Sequence, residues 1–174
     1  MKYGRWHALF LAWLILLPAA ALASDVLSLT NAPARLELEP WITYVCAEES
    51  PLDITTLSDP ANQAKFKPLS KPHISLGFRP DACWFRWEMH NSSELRQRLL
   101  FTVDYPVLDY VDLYEQSNQQ QQHWALGDAY PFAQRPIDSR NFVIPLNLEP
   151  GQSAVYYLRV QSSGSMTVPL YISD

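Results

Sequence analysis

Apolar and polar residues alternate along several short runs of the chain, and these runs predict β-strands. In the run at residues 84–90, one face carries Phe85, Trp87 and Met89, which we assign to the core. The opposite face carries Trp84, Arg86, Glu88 and His90.

Further runs show the same alternation. Their apolar faces carry Leu99, Phe101 and Val103; Val111 and Leu113; Phe142, Ile144, Leu146 and Leu148; Tyr156, Leu158 and Val160; and Met166, Val168, Leu170 and Ile172. The runs at 99–103 and 111–113 are predicted to form adjacent strands. Short antiparallel strands bury their apolar faces best as two packed sheets, so we expect an all-β fold of the jelly-roll sandwich type.

One short helix is predicted at residues 54–57. Asp53 precedes it, and an aspartate at that position can accept N–H groups as an N-cap.

The first residues have the features of a secretory signal peptide. Lys2 and Arg5 precede an apolar run at residues 8–17, and an alanine-rich stretch follows. The alternative is a transmembrane anchor, which needs about 20 apolar residues. We therefore predict a signal peptide at residues 1–23, cleavage after Ala23 and an exported domain at residues 24–174.

The chain contains two cysteines, Cys46 and Cys83, both in the exported part. Oxidising conditions there favour a disulfide between them. The alternative is a pair of buried free thiols. A metal pair is less favoured, because neither cysteine has a second ligand at close spacing.

Composition excludes some function classes. Hydrophobic residues make up 48% of the 174 residues and the net charge is −5, which indicates a globular chain and argues against a nucleic-acid partner. Without the leader, 11 basic and 18 acidic residues leave a net charge of −7. The sequence contains no nucleophile elbow, phosphate loop or dinucleotide fingerprint, so we do not expect an enzyme.

The polar strand face is the first candidate site. Trp84, Arg86 and Glu88 project together, and further polar side chains extend this surface if their strands are neighbours: Asp112, Tyr114, Tyr157 and Arg159. Aromatic rings beside charged groups suit sugar recognition, because rings stack on C–H faces and charged groups bond to hydroxyls. The alternative is an ordinary solvated face on which Trp84 covers the sandwich edge.

The second candidate site is a calcium site. Several acids lie beside predicted turns: Asp81, Asp104, Asp109, Asp128 and Asp138. Calcium prefers carboxylate and carbonyl oxygens on loops, and Asp81 is the favoured ligand, with Asp128 or Asp138 completing the shell. The alternative is that these residues start turns by bonding to their own backbone.

A set of short motifs gives a family resemblance over residues 35–174. They are Leu76-Gly77-Phe78, Trp84-Phe85-Arg86, Asp109-Tyr110-Val111-Asp112-Leu113-Tyr114, Gly127-Asp128, Pro131-Phe132, Arg135-Pro136, Arg140-Asn141-Phe142-Val143 and Tyr157-Leu158-Arg159-Val160. In order and spacing they resemble the type 2 extracellular domain of bacterial seven-transmembrane receptors with diverse intracellular signalling modules. Phe85, Ser139 and the cysteine pair depart from the expected pattern.

The resemblance implies a periplasmic jelly roll similar to carbohydrate-binding modules. It also implies seven membrane helices and an intracellular histidine kinase or diguanylate cyclase, so the chain looks like the sensor end of a longer receptor or one that ends at the membrane boundary. Arg140, within one of the motifs, joins the candidate ligand-binding residues.

Our interpretation is a non-enzymatic periplasmic sensor that binds a glycan. One alternative is a calcium sensor. The other is an interaction module whose aromatic surface meets a second copy or another receptor ectodomain.

Overall fold

The computed structural model describes residues 26–47, 52–70, 73–118 and 120–174. The predicted signal peptide and its cleavage site lie outside these residues, so both remain predictions. Within the described part of the chain, no helix is long and apolar enough to cross a membrane.

Short β-strands account for most of the regular structure in these ranges. The strands are β1 (Leu27–Leu29), β2 (Leu36–Glu37), β3 (Thr43–Cys46), β4 (Lys67–Pro68), β5 (Ser75–Phe78), β6 (Cys83–Asn91), β7 (Gln97–Val103), β8 (Tyr110–Ser117), β9 (Gln120–Leu126), β10 (Phe142–Leu148), β11 (Ser153–Gln161), β12 (Ser165–Thr167) and β13 (Leu170–Ser173). The helical elements are α1 (Ile54–Ser58) and the 3₁₀ helices Glu39–Trp41, Pro60–Lys65 and Phe132–Gln134.

Two sheets pack face to face, which confirms the predicted all-β sandwich. The larger sheet has the order β4-β3-β6-β11-β8-β9, with β1 added parallel to β6, and the smaller has the order β10-β7-β13-β2. Strands β5 and β12 form a separate pair. From β6 to β13 the chain crosses repeatedly between the sheets, which is jelly-roll connectivity.

One predicted strand pairing is wrong. Strands β7 and β8 follow each other in the chain, but β7 lies in the smaller sheet and β8 in the larger. The segment between them therefore crosses the sandwich instead of forming a hairpin.

The core lies between the sheets, and every apolar face assigned from the alternation contributes to it. At its centre the Trp87 ring stacks on Phe101 of the opposite sheet, with ring centroids 5.2 Å apart, and on Tyr156, 5.3 Å apart. Buried aromatic rings remove a large apolar area from water, so this stack joins the two layers.

The predicted disulfide is present. Cys46 and Cys83 lie directly opposite each other in strands β3 and β6 and are bonded. The bond therefore links β3 to the central strand of the larger sheet.

The predicted helix is also present. It begins after Asp53, whose carboxylate accepts a hydrogen bond from the Thr56 N–H at 2.7 Å, as an N-cap does. The helix and the following 3₁₀ helix lie on the outer face of the larger sheet, where Leu57 packs against Trp84 and Tyr157.

One carboxylate lies inside the sandwich. Glu115 is only 4% exposed and faces the core side of β8, opposite Tyr156. Burial raises the pKa of its carboxyl group, and the hydroxyls of Ser117 and Tyr156 partly oppose this effect.

Replacing both cysteines with alanine should lower the free energy of unfolding by about 3–4 kcal/mol, because the bond closes a loop with a sequence separation of 37. Urea unfolding of the oxidised protein measures the loss. Reductant is the control, since it should destabilise the wild type and leave the double variant unchanged. A double variant as stable as the oxidised wild type would contradict the prediction.

Glu115→Gln should stabilise the protein at pH 7–8, and the gain should disappear below about pH 4. A raised native pKa means that the folded state holds its proton longer than the unfolded state, so wild-type stability falls as pH rises above the ordinary value of 4.5. Because glutamine does not ionise, the variant does not lose stability in this way as the pH rises. Thermal unfolding of both proteins from pH 4 to pH 8 is the measurement, and parallel curves would refute the assignment.

Candidate functional site

The polar face of the larger sheet brings most of the candidate residues together. In the strand register, Tyr157 of β11 lies between Arg86 of β6 and Tyr114 of β8, and Arg159 lies between Trp84 and Asp112. Glu88 continues the same face along β6. The strands that carry these residues are therefore neighbours, as the predicted surface requires.

Arg140 does not belong to this face. It lies in the loop before β10, a strand of the smaller sheet, and its carbonyl accepts a hydrogen bond from Arg135. The motif containing Arg140 therefore contributes to a different part of the fold.

The expectation that Trp84 is exposed is wrong. Its side chain points away from the main core, as the alternation predicts, but the residue is only 1% exposed. Leu57 and Tyr157 pack against it. Apolar residues from the segment 52–66, which we call the covering segment, close the cluster: Leu52, Ile54 and Phe66. Trp84 therefore belongs to a second, smaller core and cannot stack on a ligand in this conformation.

A hydrogen-bonded network occupies the β8 side of the face. The Asp112 carboxylate lies 3.0 Å from His123 Nε2 and 3.1 Å from an Arg159 guanidinium nitrogen. Arg159 also donates to the side chain of Gln161. Because both oxygens of the buried Asp112 are engaged, the network holds Arg159 and His123 in fixed positions.

Three rings stack across the same region. Tyr114 lies between the buried Trp84, at a centroid distance of 5.7 Å, and His123, at 4.2 Å and nearly parallel. Burial raises the pKa of the Tyr114 hydroxyl, and the neighbouring Asp112 raises it further. The outermost ring belongs to His123, whose side chain is 42% exposed.

Sequence reasoning did not assign His123 to this site. The available signal was its position in the strand of the β8–β9 hairpin, where it lies opposite Tyr114. That pairing follows only once the register of β8 and β9 is known, because a shift of one residue would move the imidazole to the other face.

A second charged pair lies on β6. Arg86 and Glu88 approach to 3.7 Å, and both side chains are partly accessible to solvent. Beside them the Tyr157 hydroxyl accepts a hydrogen bond from Gln63 of the covering segment, at 3.2 Å. The two charged pairs therefore flank Trp84 and Tyr157, which the covering segment buries.

The structure does not group the acids of the predicted calcium site. Arg79 holds Asp81 through two contacts of 3.0 and 2.6 Å, and this hydrogen bonding lowers the pKa of the Asp81 carboxyl group. Asp128 and Asp138 are exposed. The only potential ligand group among the described residues combines Asp81 with Cys46 and Cys83, whose sulfurs are already bonded to each other.

A separate cavity of about 700 Å³ lies at an edge of the sandwich. The edge strands β2 and β4 both contribute to it, together with the 3₁₀ helix at Glu39–Trp41. Its lining includes Glu37, Glu39 and His73 beside apolar side chains such as Ile42 and Leu69. Sequence reasoning did not identify this site, because no local motif connects these residues.

The protein family described as 7TMR-DISM extracellular 2 matches residues 39–174. The chain belongs to this family. Membership makes it an extracellular sensor domain of a membrane receptor, and it implies a periplasmic location and a membrane-embedded remainder. Domains of this kind are typically non-enzymatic.

The other comparisons add little to this assignment. No curated protein matches the chain. Among solved structures, a tryptic core variant of Cry1Da from Bacillus thuringiensis matches with a TM-score of 0.37 and 12% identity, and the match covers 85% of this chain. The chain spans 24% of the Cry1Da chain.

Trp84→Ala should lower the free energy of unfolding by about 3–5 kcal/mol, as expected for truncation of a fully buried tryptophan. Trp87→Ala should cost a similar amount. Trp124→Ala is the matched control and should cost less, because Trp124 is only partly buried. Urea unfolding measures all three, and a Trp84 variant that loses less stability than the Trp124 variant would show that the covering segment does not bury Trp84.

Proposed function

We propose that this sensor domain binds a glycan on the polar face formed by β6, β8 and β11. The main support is the strand register, which places two partly exposed Arg–carboxylate pairs, Arg86–Glu88 and Arg159–Asp112, on the same face of the larger sheet. In the complete receptor, binding controls an intracellular histidine kinase or diguanylate cyclase.

The charged pairs supply the directional contacts. A sugar presents neighbouring hydroxyls, each of which can donate to a carboxylate and accept from a guanidinium. Glu88 and Arg86 offer this combination at one end of the face, and Arg159 offers donors nearer β8. An Asp112 fixed by His123 keeps the Arg159 guanidinium oriented before a ligand arrives.

The ring contact comes from the His123–Tyr114 pair. Tyr114 packs between Trp84 and His123, and the imidazole of His123 is the most exposed ring of the three. The C–H face of a sugar can stack on this ring, as it does on other aromatic surfaces. We therefore assign to His123 the stacking role that the sequence analysis gave to Trp84.

Arg86→Ala and Glu88→Gln should each weaken glycan binding by about 1–3 kcal/mol without unfolding the domain, since each removes charged hydrogen bonds at a partly exposed position. The measurement is thermal unfolding of the exported protein against cellohexaose, xylohexaose, maltohexaose and chitohexaose, followed by calorimetry with the best ligand. Arg98→Ala is the matched control, because Arg98 is exposed on β7 of the other sheet.

Three outcomes would contradict the proposal. One is that no oligosaccharide raises the melting temperature. Another is that Arg98→Ala weakens binding as much as Arg86→Ala does. In the third, metal-stripped protein is stabilised by calcium and by no sugar, which would favour the calcium alternative.

A further inference from the structure

The cavity at the edge of the sandwich has the size and lining of a small-molecule site. Its volume of about 700 Å³ lies within the range of roughly 300–1,000 Å³ that is usual for ligand pockets. Apolar side chains form much of its wall: Pro40, Ile42, Pro68, Leu69 and Pro169. It shares no lining residue with the polar face of β6, β8 and β11.

Glu39 is the buried polar group of this cavity. The residue is only 9% exposed. In the described part of the chain, no cationic side chain forms an ion pair with it. Burial raises the pKa of this carboxyl group and the nearby Glu37 raises it further, while the backbone N–H groups of Glu39 and Leu170 and the side chain of His73 oppose the change.

The other charges at the cavity are already balanced. Arg35 forms an ion pair with Glu37 at 2.7 Å, and its guanidinium lies 3.6 Å from the centroid of the Tyr171 ring. These contacts hold the one arginine of the lining against Glu37. Among the described residues that line the cavity, Glu39 is thus the carboxylate that forms no ion pair, and a bound cation would supply one.

We propose that this cavity binds an organic ammonium ion, with the ammonium group paired to Glu39 and an apolar body packed against Ile42, Leu69 and Pro169. A buried carboxylate is costly unless an opposite charge accompanies it, so a ligand cation gains electrostatic energy there. The apolar walls favour a carbon skeleton over a hydrated metal ion, which would need several more oxygen ligands. This site is additional to the proposed glycan site.

Benzylamine, protonated at pH 7, is a suitable probe, and benzyl alcohol is its neutral counterpart. We expect benzylamine to bind the exported protein saturably and to shift the methyl NMR signals of Ile42 and Leu69. Benzyl alcohol should bind at least tenfold more weakly. Glu39→Gln should reduce benzylamine affinity at least tenfold, since the amide has nearly the same size and shape as the carboxylate but carries no charge.

Two further variants complete the test. Glu94→Gln, an identical change at an exposed position outside the cavity, should leave benzylamine affinity unchanged. Leu69→Trp should fill the cavity and abolish binding while Glu39 stays in place. Equal affinity for the amine and the alcohol, or unchanged amine affinity in either the Glu39→Gln or the Leu69→Trp variant, would overturn the proposal.

Discussion

The burial of strand β6 on its inner face and at the Trp84 end of its outer face is the constraint on which the rest of the structure depends. Its inner face places Phe85, Trp87 and Met89 between the two sheets, and its outer face places Trp84 under the covering segment. The strand pairs with β1, β3 and β11 and carries one half of the disulfide. A large apolar side chain on the outer face needs apolar partners of its own, which explains why the domain has a second small core.

The same arrangement positions the candidate glycan site. The covering segment 52–66 buries the Trp84 end of the outer face and leaves Arg86 and Glu88 partly accessible beside it. Trp84 packs on one side of Tyr114, and His123 packs on the other. Residues that stabilise the fold thus lie next to residues that can contact a ligand, so a bound ligand would touch a ring that is already fixed by packing.

Two buried carboxylates, those of Glu115 and Glu39, lie in different surroundings. Glu115 lies between the sheets, where burial of its charge reduces stability at neutral pH. Glu39 is buried to a similar degree but lines a cavity large enough for a small molecule. Burial raises the pKa of both carboxyl groups, and the cavity beside Glu39 is where we propose that a ligand supplies the counter-charge.

The sequence by itself determined which side chains face the core, because alternation along a strand depends only on local backbone geometry. Phe85 and Trp87, the Asp53 cap and the Cys46–Cys83 pair were all predictable from local pattern or composition. The tertiary structure decided what packs on the second face of each strand, since that depends on contacts between distant segments. The burial of Trp84 beneath Leu57, the separation of β7 from β8 and the cavity around Glu39 all result from such contacts, and no periodicity in the chain encodes them.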